Sequence, residues 1–172
     1  MADELIDVIN EKDKVIGQEW KSKCHKEGLL HRVGAVFIFN DKGQLLLQKR
    51  AAKKSLGKNL YDYSASGHIG LGEGYEIEAR KELNEELGIN APITRFPGEI
   101  KIESFVYQID MMIRHKIVLF VGYHNGPFNI QEEELDSVEF FDLKRIEEMI
   151  LENPDKFTEG FKIGFKTYME RK

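Results

Sequence analysis

Short runs of β-branched and aromatic residues recur along the chain and predict a sheet. The clearest pair is residues 33–39 and 45–48, and the Asp-Lys-Gly segment at 41–43 between them is typical of a tight hairpin turn. Weaker alternation or short apolar runs predict further strands at these segments: 5–9, 15–20, 60–65, 99–105, 117–123 and 138–142. Residues 21–30 are polar and show no clear period.

Apolar residues spaced four apart predict a helix at 75–87. Ala79, Leu83 and Leu87 lie on one side of it, and Gly88 stands where a helix end is expected. Further helices are predicted at two later segments, 143–151 and 158–169. This mixture of elements predicts one α/β domain over the whole chain, with its sheet sandwiched by helices.

The helix at 75–87 also carries a concentrated set of acidic side chains. Each helical residue turns by about 100°, so Glu82, Glu85 and Glu86 share a face and Glu78 lies one turn earlier on it. If this face is solvated, the repulsion between its charges is weak and nothing needs explaining. If it lines a pocket, it requires cations, and oxygen ligands suit Mg²⁺ or Mn²⁺.

Composition and charge limit the partners. The formal net charge of -5 gives no bulk attraction to a nucleic acid polymer or to an anionic membrane, so an anionic small molecule must be held by a local cluster. Cys24 is the only cysteine, which excludes an intrachain disulfide and fits a reducing cytoplasm. No run approaches about 18 apolar residues, the length that suggests a membrane span. We therefore expect a cytoplasmic protein with a small-molecule partner.

The acidic helix belongs to a longer motif. The segment that starts at Gly67 reads GHIGLGEGYEIEARKELNEELGI. The spacing of its glycines and of Glu73, Glu82, Glu85 and Glu86 resembles the Nudix box. The resemblance implies a Nudix-type α/β/α sandwich with a mixed β-sheet and a loop–helix–loop catalytic segment.

The same resemblance implies roles for the matching residues. Glu82 and Glu86 would hold Mg²⁺ or Mn²⁺, with Glu85 close by and a backbone carbonyl near Gly67 completing the coordination. Glu73 would fix the loop or orient a ligand. Metal ions neutralise a diphosphate and turn a bound water into a nucleophile near neutral pH. The expected activity is therefore hydrolysis of a diphosphate bond in a nucleoside diphosphate-linked or similar small substrate.

One position departs from the box. Lys81 stands where the family usually has arginine. Arginine can pair with two carboxylate oxygens at once, whereas lysine offers a point charge. We expect altered geometry or a reduced rate, and a non-catalytic nucleotide-binding Nudix module remains an alternative.

Segments outside the box resemble the isopentenyl-diphosphate isomerase branch and its hydrolase-like bacterial relatives. They read HRVGAVFIFN from residue 31, GQLLLQKR from residue 43, and SGH from residue 66. By this resemblance His25, His31 and His68 fall where the isomerase places metal-binding histidines. Arg50 and Lys54 fall near its diphosphate-binding positions.

Two departures weigh against an isomerase. It needs a cysteine where this chain has Ser66, and a hydroxyl is a far weaker acid than a thiol for moving a proton at carbon. Its two metal-binding carboxylates would fall near Ile113 and His115, and neither residue is acidic. Because the box glutamates are all present, the sequence favours the hydrolase over the isomerase.

Two interpretations are open for each of several side chains. Arg50 and Lys54 lie in a basic loop that either grips a diphosphate or is solvated, and His68 either contacts substrate or orients its loop. The glutamates at 132–134 either supply a general base or form a charged turn. The side chains of Asp110, Arg114 and His115 are possible cleft residues. Relatives often pair, so a homodimer is possible.

Overall fold

Within residues 3–106 and 111–172, which the computed structural model describes, ten strands form one sheet and four α-helices flank it. The strands are β1 (Leu5–Ile9), β2 (Val15–Trp20), β3 (His31–Phe39), β4 (Leu45–Arg50), β5 (Tyr61–Asp62), β6 (Ala65–His68), β7 (Ile93–Arg95), β8 (Ile100–Val106), β9 (Met111–Tyr123) and β10 (Leu135–Phe141). The helices are α1 (Lys21–Glu27), α2 (Tyr75–Leu87), α3 (Leu143–Glu152) and α4 (Glu159–Arg171).

Strand β3 is the centre of the sheet. It pairs in parallel with β9 over its whole length and antiparallel with β6, and it also contacts β1 and β4. The outer strands pair antiparallel, β10 with β4 and β8 with β9. The sheet is therefore mixed, as predicted.

Apolar side chains fill the space between the sheet and its helices on both faces. On one face Phe37 of β3 packs against Phe161 of α4, with ring centroids 5.9 Å apart. On the other face Ala79, Leu83 and Leu87 of α2 are buried. The predicted sandwich of helices around a sheet is confirmed. No helix among the described residues is both long and apolar enough to cross a membrane.

Helix α2 begins and ends where the sequence predicts. It ends at Leu87, and Gly88 adopts the left-handed conformation (φ 65°) that glycine accepts most easily. The helix lies close to β3 because Gly34 has no side chain: a Cβ there would be 3.1 Å from the carbonyl oxygen of Tyr75. This close approach places the acidic side of α2 against the sheet.

Two strand predictions differ from the structure. Residues 60–65 were expected as one strand, but the structure divides them into β5 (Tyr61–Asp62) and the first residue of β6, Ala65. Between them the Ser64 hydroxyl donates to the carbonyl of Leu46 at 2.6 Å and accepts from the amide of Ile38 at 2.8 Å, so a side chain takes the place of the backbone ladder. Strand β9 starts at Met111 rather than at 117, because its first half pairs with β8.

Candidate active site

Strand β6 lies between two groups of polar side chains, one on each of its faces. It pairs with β3 so that Ser66 lies opposite Ala35, Gly67 opposite Gly34 and His68 opposite Val33. Because side chains alternate along a strand, Ser66 and His68 point to one face and Gly67 to the face covered by α2.

Glutamate side chains of α2 lie directly beneath Gly67. A Cβ at this position would be 2.1 Å from Oε1 of Glu82, so only glycine leaves room for that carboxylate. Glu86 is 5% exposed, and its Oε2 accepts hydrogen bonds from the amide of Ser66 at 3.1 Å and from Nε2 of Gln48 at 3.2 Å. Together with the buried Glu78, these glutamates form what we call the carboxylate pocket.

Burial disfavours the charged form of the pocket's carboxylates. It raises the pKa of Glu82 to about 9, with the charge of Glu86 adding to the effect, and it raises the pKa of Glu86 to about 8. The Oε2 atoms of Glu73 and Glu78 are buried and have no hydrogen-bond donor. Buried carboxylate oxygens that lack donors are suitable ligands for a divalent cation with a preference for oxygen.

The remaining box residues lie at the edge of the pocket. Glu85 is exposed, because it is turned about 100° along the helix from the buried Glu86. Lys81 lies 3.3 Å from Oε1 of Glu78 and so neutralises one of the pocket's acids. The predicted ligand role of Glu85 and the predicted effect of Lys81 stay predictions.

Gln48 is a pocket residue that the sequence analysis missed. It is fully buried, it donates to Glu86, and its Oε1 has no hydrogen-bond partner. The available signal was its place in the predicted strand at 45–48, where alternation puts Gln48 on the same face as Leu46.

The basic loop contributes two cations near the carboxylate pocket. The positive charges of Arg50 and Lys54 both lower the pKa of Glu86 against the larger effect of burial. Arg50 also donates to the carbonyl of Leu56 at 3.0 Å, and it forms an ion pair with Asp62 at 3.2 Å. Its predicted contact with a diphosphate stays a prediction.

The loop's other cations pair with the acidic turn. Lys54 forms an ion pair with Glu134, and Lys53 forms one with Glu133 at 2.6 Å. These pairs tie the turn at residues 132–134 to the basic loop. These ion pairs favour the interpretation of residues 132–134 as a charged turn rather than as the source of a general base.

Four histidines converge on the opposite face of β6. His25 of α1, His31 of β3, His68 of β6 and His115 of β9 each offer a ring nitrogen, and these nitrogens all lie within 4.8 Å of one another. The Nε2 of His25 is 3.2 Å from that of His68 and 3.5 Å from that of His115. We call this group the histidine cluster; its members could hold a metal ion.

The histidine cluster is built from neutral rings. Burial lowers the pKa of His25 and of His31 to about 4, and it holds the pKa of His68 and of His115 well below the usual range. Neutral imidazole carries the lone pair that a metal ion needs. The cluster includes the three histidines that the isomerase resemblance singled out.

The two described residues that were considered as cleft residues, Arg114 and His115, lie in different surroundings. His115 belongs to the histidine cluster, whereas Arg114 forms ion pairs with Glu103 at 2.9 Å and with Glu11 at 3.0 Å. Asp110 lies outside the described residues. The position that corresponds to one isomerase carboxylate thus carries an imidazole.

Comparison with known proteins identifies the class. The family model of the Nudix domain matches residues 29–161, so the chain belongs to the Nudix family. The chain is 32% identical to isopentenyl-diphosphate Delta-isomerase 2 of Photorhabdus laumondii, covering 93% of this chain and 89% of that protein. It is 33% identical to isopentenyl-diphosphate Delta-isomerase of Serratia proteamaculans, covering 92% and 88%. A solved protein of Deinococcus radiodurans shares the fold, with a TM-score of 0.73 and 23% identity over 87% of this chain and 90% of that one.

These relatives correct the expected reaction. The prediction of a pyrophosphohydrolase is wrong, because relatives that match about nine-tenths of the chain are named isomerases. The physical reason is that a helix rich in carboxylates predicts only a place where cations could neutralise a diphosphate. It does not indicate which bond of the substrate changes.

The glycine at 67 leads to a first prediction. Gly67→Ala places a methyl group where Glu82 lies, and the flexible carboxylate must leave the pocket. We expect the protein to fold and to bind Mg²⁺ about 10- to 100-fold more weakly, the range for a disturbed ligand arrangement. Isothermal titration calorimetry measures this. Gly17→Ala is the matched control, since a Cβ there meets nothing within 4 Å; equal affinity of both variants would contradict the geometry.

The raised carboxyl pKa values lead to a second prediction, for the metal-free protein. Folded Glu82 and Glu86 keep their protons to about pH 9 and 8, whereas the unfolded chain loses them near 4.5. The unfolded state therefore binds fewer protons in between, and stability falls as pH rises. Between about pH 7.5 and 8.5, where the histidines of the unfolded chain (pKa near 6.5) have lost most of their protons, each carboxyl lowers the free energy of unfolding by up to about 1.4 kcal/mol per pH unit.

Urea unfolding in a chelator at several pH values measures this slope. A saturating concentration of Mg²⁺ should flatten it, because the cation favours the ionised carboxylates. Stability that stays constant or increases over this window without metal would show that the two carboxyls are ionised in the folded state.

Proposed function

We propose that this chain binds isopentenyl diphosphate and moves its carbon–carbon double bond. The observation that carries the proposal is the position of two sites on one short strand: the carboxylate pocket beneath Gly67, and the histidine cluster that includes His68 on the other face. The named activity of the full-length relatives supports the same reaction. We place the protein, with its small-molecule substrate, in the cytoplasm.

The carboxylate pocket supplies the diphosphate end of the site. Glu82 and Glu86 would hold Mg²⁺ or Mn²⁺, with Glu73 and the carbonyl of Gly67 in support. Such an ion neutralises diphosphate charge. Arg50 and Lys54 lie close enough to act on Glu86 electrostatically, and their donors suit phosphate oxygens.

The reaction itself conserves the substrate's formula. The terminal carbon of the double bond gains a proton, the carbon next to the diphosphate-bearing carbon loses one, and the double bond moves to the internal position. No phosphate leaves. Ser66 faces the histidine side of β6, and its hydroxyl is a poor acid for protonating carbon. We therefore expect turnover to be slow and limited by proton transfer.

The test is an exchange experiment in D₂O. Intact protein with Mg²⁺ and Zn²⁺ is incubated with isopentenyl diphosphate and followed by NMR, while a phosphate assay runs in parallel. The expected result is the allylic isomer carrying deuterium, with no phosphate release. Absence of both deuterium incorporation and isomer over long incubation would refute an isomerase.

A second candidate function is binding without turnover. Ser66 in place of a cysteine and His115 in place of a carboxylate are the observations that favour it. The chain would then hold an isoprenoid or other small diphosphate and release it unchanged. Calorimetry with isopentenyl diphosphate, followed by product analysis of the same sample, separates the two: heat of binding with unaltered ligand supports the binding module alone.

A further inference from the structure

We infer that His115 completes an all-nitrogen, four-histidine site that binds Zn²⁺ or a chemically similar late transition-metal ion and rejects Mg²⁺. The isomerase resemblance accounts for three of the four histidines, and it calls for a carboxylate where this chain has His115. The inference concerns the ion that the cluster selects. It holds whether or not the protein isomerises isopentenyl diphosphate.

The distances within the cluster match a tetrahedral zinc site. Zinc–nitrogen bonds of about 2.0–2.1 Å place neighbouring nitrogens about 3.3 Å apart at the corners of a tetrahedron. Nε2 of His25 lies 3.2 Å from Nε2 of His68 and 3.5 Å from Nε2 of His115. All four nitrogens lie within 4.8 Å of one another, so each of them is close to a common centre.

His31 provides independent support for a ligand at this place. Its ring is fully buried, and its Nδ1 lies 2.7 Å from the carbonyl oxygen of Leu29. A carbonyl accepts only, so Nδ1 carries the proton and Nε2 carries a lone pair. That Nε2 is buried without a hydrogen-bond partner. Metal-binding histidines are typically oriented in this way, with one ring nitrogen donating to a carbonyl and the other facing the ion.

The backbone holds the cluster rigidly. His31 and His115 are paired residues on neighbouring parallel strands, and His68 lies on the strand at the other side of β3. Their rings stack or meet edge to face, with centroids 4.7–5.2 Å apart. His25 closes the cluster from α1. Because three of the four histidines lie on β3 and the strands paired with it, the sheet fixes the positions of their backbone, which favours a selective site.

The donor set determines which ion fits. Imidazole nitrogens suit zinc, cobalt, nickel and copper, whereas Mg²⁺ requires oxygen ligands and retains several waters. The charged groups acting on His25 are Lys21 and Asp3, which have opposite signs, and Lys21 also acts on His31 and His68. None of the cluster's four ligands is a carboxylate. The chain would thus bind two different ions. The carboxylate pocket on the α2 face of β6 would bind an ion that prefers oxygen ligands, and the histidine cluster on the other face would bind one that prefers nitrogen ligands.

Cobalt substitution tests the inference by spectroscopy. Metal-free protein is titrated with Co²⁺ in the presence of excess Mg²⁺. We expect one equivalent to bind with the intense visible absorption of four-coordinate cobalt, and Zn²⁺ to displace it. Weak absorption typical of six-coordinate cobalt, or displacement by Mg²⁺, would overturn the inference.

Variants at His115 make the test specific. His115→Ala should lower the affinity for Co²⁺ about 100-fold or more and abolish the intense absorption, while His115→Glu should keep an ion but shift its preference towards Mn²⁺. His124→Ala is the matched control, because His124 lies outside the cluster and bonds to the amide of Gly126. If His115→Ala does not fold, His115→Gln fills the volume. An unchanged cobalt spectrum in either variant refutes the role of His115.

Discussion

Ser66→Cys is expected to increase the rate of double-bond isomerisation by about 100-fold or more, within the range that a positioned acid or base contributes. A thiol has a pKa near 8.5 and gives up its proton far more readily than a hydroxyl. The new group would stand on the same face of β6 as His68, and the amide of residue 66 would keep its hydrogen bond to Glu86. Steady-state turnover with isopentenyl diphosphate measures the gain.

The chain offers a clean control for this gain. Its natural cysteine, Cys24, is fully buried, and burial raises the pKa of its thiol to about 11, so a thiol-alkylating reagent should leave the unmodified protein unaffected. The same reagent should remove the added activity of Ser66→Cys. Ser66→Ala gives the rate without either group. Equal rates for all three proteins would mean that proton transfer does not pass through this position.

Glu86→Gln is expected to lower kcat/KM for isopentenyl diphosphate by about 100- to 1000-fold, because in the proposed site it would remove a charged ligand of an ion that stabilises the diphosphate by several kcal/mol. The fold should survive. The amide oxygen of glutamine can accept from Ser66 and Gln48 as the carboxylate does, and the neutral side chain is easier to bury.

Two measurements distinguish the loss of a metal ligand from a general loss of folding stability. The Tm of metal-free Glu86→Gln should equal or exceed that of the natural protein, while its affinity for Mg²⁺ falls. Glu76→Gln is the matched control on the same helix, since Glu76 is exposed and pairs only with Arg80 at 2.8 Å among the contacts described. Wild-type turnover in Glu86→Gln would end the assignment of Glu86 as a ligand.

The two faces of β6 also explain why the reaction was first predicted wrongly. Glu82 and Glu86 predict a site where cations could hold a diphosphate, and such a site is compatible with both hydrolysis and isomerisation. By resemblance, His25, His31 and His68 match metal-binding positions of the isomerase, whereas His115 stands near a position where that enzyme has a carboxylate. The meeting of these four residues depends on the fold and is not visible in a linear pattern.

What the sequence by itself determined is local. The start and end of α2, its buried side with Leu83, the hairpin between β3 and β4, and the acidic residues near Gly67 all follow from spacings shorter than one element. Helical and strand periods act over such distances, so a linear pattern suffices. The motif includes a glycine at position 67. The structure explains why, because a Cβ there would collide with the carboxylate of Glu82.

Only the tertiary structure decided which distant residues meet. The pairing of β3 with β9 brings His31 beside His115, and α1 adds His25, although these residues are far apart along the chain. The burial of Gln48 and of Glu86 depends on α2 lying across the sheet, and Glu85 stays outside for the same reason. Strand register and helix docking arise from long-range packing of the whole core, which no short sequence pattern records.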